Sequence, residues 1–62
     1  MTQVRDVLRM LHDDGWEVAR IRGSHRQLKH RVKRGKVTVA GHPSDEVPTG
    51  TLKQILRQAE LE

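Results

Sequence analysis

Two short stripes of apolar residues at helical spacing bracket this chain: Val4, Val7, Leu8 and Leu11 near its start, and Leu52, Ile55, Leu56 and Ala59 near its end. Residues at i, i+3, i+4 and i+7 share one face of a helix. Neither stripe can be buried by its own helix, so the segment between them must supply the partner surface. There WEVARIR, HRQLKHRV and KVTVA alternate in the manner of half-buried strands. In the second run Leu28 and Val32 fall on one face, opposite His25, Gln27, Lys29 and Arg31. Val37 and Val39 point inward from the third. In the first run Ala19 and Ile21 oppose Arg20 and Arg22, but Trp16 and Val18 share parity with the arginines, which leaves its inward face ambiguous. Thr2 is placed to cap the first helix and Gly15 to end it. Lys33-Arg34-Gly35 reads as a turn, and GHPSDEVPTGT connects the last strand to the last helix.

Strands joined by short turns pair antiparallel, and both helices then cover one face of the sheet and leave the other to solvent. The predicted class is α+β, helix–strand–strand–strand–helix with a three-stranded antiparallel sheet, as a single domain over residues 1–62. A chain of this size buries only about 60% of the surface it exposes when unfolded, so its core is modest. There is no Cys, which excludes disulfides and thiolate metal or redox sites. Arg5, Asp6 and Arg9 interrupt the apolar residues at the N-terminus, and no apolar run approaches membrane-spanning length. The expected compartment is the cytoplasm, with no membrane partner.

Charge points to a partner class. Of 12 Lys and Arg, Arg20, Arg22, Arg26, Lys29, Arg31, Lys33, Arg34 and Lys36 lie between positions 20 and 36, and no acid occurs between Glu17 and Asp45. Such a block is either a solvated face or the footprint of a polyanion.

Four His invite a test for metal. His25 and His30, five apart, face opposite sides of one strand and cannot chelate together, and His12 sits on a helix. Without thiols or clustered carboxylates, no metal site and no cofactor are expected. Ser24 and His25 are neighbours that point opposite ways, which does not suit a nucleophile–base pair. Phosphate chemistry fits better. Gly23 lets the backbone approach a ligand, and Ser24 offers an N–H and a hydroxyl. An imidazole titrates near neutral pH and can take a proton from a ribose 2′-hydroxyl, while a neighbouring Lys or Arg stabilises charge on the attacked phosphate. A non-catalytic double-stranded RNA-binding module, or a domain that only pairs with an acidic protein, shares the same charge pattern; His25 separates the enzyme from these.

The segments DDGW, IRGSHRQLKH, KVTVAGHP and VPTGTLKQILRQAEL, in this order and spacing, resemble the HicA toxins, small mRNA interferases of bacterial and archaeal toxin–antitoxin pairs, over nearly the whole chain. The resemblance implies a fold like the double-stranded RNA-binding domain. It also implies a catalytic role for His25, preceded by Gly23 and Ser24, and a HicB-type antitoxin as partner. The combined expectation is a metal-independent endoribonuclease acting on mRNA, monomeric when free. His25 is its general base, and Arg22, Gly23, Ser24, Arg26, Lys29 and Arg31 contact RNA. His42 either assists as an acid or, the favoured reading, helps shape a turn with Pro43, and His30 faces the helices as a packing or rim residue.

Overall fold

Helix α1 (Val4–Asp13), strands β1 (Trp16–Arg22), β2 (His25–His30) and β3 (Val37–Ala40), and helix α2 (Thr49–Gln58) follow one another in the computed structural model, which describes residues 2–62. The strands form one antiparallel sheet in the order β1-β2-β3. The α-β-β-β-α order is that of the double-stranded RNA-binding domain, as expected from the sequence.

The two apolar stripes meet over one face of the sheet. Val4, Val7 and Leu11 from α1, and Ile55 with Ala59 from α2 and its end, pack with Trp16, Leu28, Val37, Val39 and Val47 into one core cluster, with Leu8 and Leu52 at its margin. Each large side chain buried there contributes about 1.5–3 kcal/mol of transfer free energy. Trp16 is fully buried, and its indole N–H has no hydrogen-bond partner among the described residues.

A β-bulge resolves the ambiguity in β1. Val18 pairs with Leu28 but Arg20 pairs with Gln27, so Ala19 is an extra residue in the ladder. An inserted residue reverses the side-chain alternation beyond it. Trp16 and Val18 therefore share the helix-bearing face with Leu28, while Arg20 and Arg22 emerge on the solvent face. Ile21, paired with Arg26, also lies on the helix side, yet it is 64% exposed and Val18 is 47% exposed, beyond the cover of the helices.

Three local expectations are corrected. Thr2 does not cap α1: Gln3 is the capping residue, with its N–H donating to the Asp6 carboxylate at 3.0 Å. The next two donors are satisfied by the loop before α2, Val4 N–H by the Asp45 carbonyl and Arg5 N–H by the Pro43 carbonyl. That loop is also shorter than expected, because α2 already begins at Thr49. Strand β2 stops at His30, so Val32 does not reach the core and is 83% exposed.

Lys33, in the bent connection between β2 and β3, also ties the helices together. Its ammonium pairs with the Asp14 carboxylate and donates to the Ala59 carbonyl at 2.9 Å, tying the end of α1 to the end of α2. The Lys33 hydrogen bond holds the Asp14 carboxyl below its ordinary value. His30 completes this corner. Its Nδ1 accepts the N–H groups of Val32 and Lys33, both at 3.0 Å, which places the ring proton on Nε2, 2.7 Å from the Asp14 carbonyl. Its ring meets Trp16 edge-on, 5.3 Å between centroids. His30 is thus the packing residue its parity suggested.

Candidate functional site

The β1–β2 hairpin closes through only two residues, Gly23 and Ser24, between the paired Arg22 and His25. A two-residue hairpin needs positive φ in its turn, and Gly23 supplies it with φ +61. A Cβ at Gly23 would meet nothing within 4 Å, so conformation rather than space calls for glycine. The Ser24 carbonyl accepts the Gly41 N–H at 3.2 Å, which joins the turn to the end of β3. His25 is thereby the first residue of β2, exposed on the solvent face.

The register arranges that face in rows across the sheet. Arg22, His25 and Ala40 form the row at the hairpin end, and Arg20, Gln27 and Thr38 form the next. Paired residues on a sheet hold their Cβ atoms about 4.5–5.5 Å apart. A shallow cleft of about 420 Å³ opens here, lined by Arg20, Arg22, His25, Gln27 and Thr38. Ala40, paired with His25 in the ladder, adds only a methyl group to that row. Neither arginine of the cleft is paired with a carboxylate among the described residues. The cleft therefore presents two cations, one imidazole and two neutral hydrogen-bonding side chains.

Of the residues expected in the site, Arg22, Gly23, Ser24 and His25 come together at this hairpin end. Lys29 shares the face but lies one row beyond Gln27, opposite Glu17. Arg31 falls in the bend after β2 rather than on the strand. Arg26 belongs to the other side: it pairs with the buried Val39, and its guanidinium donates to the Gly41 carbonyl at 2.9 Å. His42 is exposed in a turn whose backbone is closed by Asp45, which accepts the His42 N–H at 3.0 Å and donates its own N–H to the His42 carbonyl at 2.9 Å. Arg20, Gln27 and Thr38 line the cleft without being among the site residues expected from the sequence. For Arg20 the signal was present, since it stands two positions from Arg22 on one strand; Thr38 is visible only once β3 is set beside β2.

No helix among the described residues is long and apolar enough to cross a membrane. A small α+β domain with a cationic, solvent-open sheet face built around one histidine is the class that fold and site define. Compared with known families, residues 4–61 match the family described as "HicA toxin of bacterial toxin-antitoxin". The chain belongs to the HicA toxin family of toxin–antitoxin systems. No curated protein matches it in sequence.

Proposed function

We propose that this toxin is an endoribonuclease that cleaves mRNA with His25 as its general base. The observation that carries the reading is the position of His25, exposed at the end of a cationic cleft and directly opposite Arg22. His25 takes the proton of a ribose 2′-hydroxyl. The 2′-oxygen attacks the adjacent phosphorus, and the bond to the 5′-oxygen breaks, which leaves 2′,3′-cyclic phosphate and 5′-hydroxyl ends. The 5′-oxygen gains its proton from water or another acid. Arg22 stabilises the charge that grows on the phosphoryl oxygens. RNA carries its own nucleophile, so one base and a cationic cradle suffice for this step.

The partner on this reading is a HicB-type antitoxin that covers the same face with acidic side chains. Charge complementarity speeds such docking, and binding to the folded toxin raises its melting temperature by mass action. The test is expression with and without the antitoxin while growth and RNA integrity are followed. Purified toxin should cut RNA, His25→Ala should not, and added antitoxin should suppress cutting in competition with RNA. The fold also supports a non-catalytic RNA-binding module, and undiminished RNA binding without any cleavage would favour that reading.

A further inference from the structure

We infer that Arg26 is a positioning residue for His25, acting through Gly41 from the far side of the sheet. The inference deepens the ribonuclease reading, and it rests on that reading for the role of His25.

His25 stands where the ladder runs out. Its partners on the two sides, Arg22 and Ala40, are the last residues of β1 and β3. Opposed pairs in an antiparallel ladder alternate between hydrogen-bonded and non-hydrogen-bonded. The Gly41 N–H donates to the Ser24 carbonyl at 3.2 Å, which makes Ser24 and Gly41 a bonded position. His25 and Ala40, the next pair, then fall at a non-bonded one. Toward β3, His25 is therefore held through its two chain neighbours. Ends of this kind open most readily, because few contacts must break.

Both neighbours bind the same residue. Ser24 holds the Gly41 N–H, and the Arg26 guanidinium donates to the Gly41 carbonyl at 2.9 Å. Gly41 thus brackets His25, gripping the residue before it and the residue after it. The second grip has a charged, part-buried donor, so it is stronger than a bond between neutral groups. Gly41 is anchored in turn, because the loop that follows it caps α1. There the Arg5 N–H donates to the Pro43 carbonyl at 3.0 Å and the Val4 N–H to the Asp45 carbonyl at 2.9 Å. Arg26 itself pairs with the buried Val39 and is not among the residues that line the cleft. Its cation acts on Gly41 rather than on a phosphate beside His25. A general base must lie within about 2.6–3.2 Å of the proton it takes. A misplacement of about 1 Å costs about 100-fold in rate, and the bracket holds the His25 backbone against such a shift.

The test compares the wild type, Arg26→Ala and Arg26→Lys at a temperature below the melt of all three. Single-turnover cleavage at saturating RNA gives the rate of the chemical step, and a titration gives RNA affinity. Arg26→Ala should lower the rate by about 10- to 100-fold with RNA affinity unchanged. Arg26→Lys keeps a cationic donor for the carbonyl and should recover part of the loss. Arg26→Met, which keeps an apolar stem but cannot donate, replaces Arg26→Ala if that variant does not fold. Backbone order parameters read the bracket without any cleavage. Those of Ser24 and His25 should fall from about 0.85 to below about 0.6 in Arg26→Ala and rise again in Arg26→Lys. A folded Arg26→Ala protein that cuts at the wild-type rate would overturn the assignment. So would a loss of RNA affinity large enough to account for slower cutting, since Arg26 would then be an RNA contact. Unchanged order parameters in Arg26→Ala count against the bracket whether or not RNA is cut. Order parameters that fall in Arg26→Ala, when the wild type cuts nothing, keep the bracket and defeat the ribonuclease reading.

Discussion

Arg22 and His25 stand directly opposite each other at the closed end of the β1–β2 hairpin, with only Gly23 and Ser24 between them. The turn that reverses the chain also sets a guanidinium beside an imidazole on the open face. His25→Ala should therefore lower RNA cleavage by about 100- to 10,000-fold, the range typical of a lost general base. Because His25 is exposed, the same change should alter stability by no more than about 0.5 kcal/mol. Single-turnover cleavage and a thermal melt of one preparation check both parts. A folded His25→Ala protein that cuts at the wild-type rate would remove His25 from the reaction.

The arginines divide into two groups by the face they occupy. Arg20 and Arg22 line the cleft, whereas Arg26 holds the Gly41 carbonyl on the helix side. Arg20→Ala and Arg22→Ala should each reduce the salt slope of RNA binding by about 0.7, the value for one phosphate contact on a single strand. Lys29→Ala should have a smaller effect, since Glu17 lies opposite it in the ladder. Arg26→Ala should leave the slope unchanged and destabilise the fold by about 1–3 kcal/mol through its lost hydrogen bond. Titrations at several salt concentrations, paired with melts, separate the two groups; a slope change for Arg26→Ala alone would reverse the assignment.

Much of this was legible before the structure. The helical stripes and the inward Leu28, Val37 and Val39 follow from periodicity, because burial repeats as the backbone repeats. The solvent-facing His25 follows the same rule. Trp16 and Val18 conflicted with the arginines because parity holds only while the ladder is regular, and the bulge at Ala19 breaks it. No local signal marks that insertion. The tie made by Lys33 is hidden for a different reason. Its partners, Asp14 and the Ala59 carbonyl, are 19 and 26 positions away in sequence, and only the assembled fold brings them together.

The Asp14–Lys33 pair makes an acid-side prediction. The hydrogen bond from Lys33 lowers the Asp14 pKa from its usual 3.8. A carboxyl depressed in the folded state adds stability that is fully present above its unfolded pKa and is lost as pH falls through the folded value. The contribution should thus be complete near neutrality, begin to fade near pH 4, and disappear below that. Asp14→Asn should lower the melting temperature at pH 7 and flatten its decline between about pH 4 and pH 2. An unchanged decline in Asp14→Asn would show that other carboxylates govern acid unfolding.

Gly15 makes the sharpest structural prediction. Its φ is +105, and a Cβ there would lie 2.6 Å from Nε2 of His30, with two ring carbons at 3.3 Å. Gly15→Ala therefore strains the backbone, by about 1–2 kcal/mol for a residue forced to positive φ. It also drives the imidazole off the Asp14 carbonyl, where Nε2 donates at 2.7 Å. With that hydrogen bond lost, the total should exceed about 2 kcal/mol. In a domain of this size that lowers the melting temperature by about 8–16 °C. Gly23→Ala offers the contrast, since its φ is +61 but nothing lies within 4 Å of the added carbon. It should show the backbone cost alone. A double-mutant cycle isolates the clash: in a His30→Ala background, Gly15→Ala should be less damaging than in the wild type. If its cost is the same in both backgrounds, the imidazole plays no part and the strain at Gly15 is wholly in the backbone.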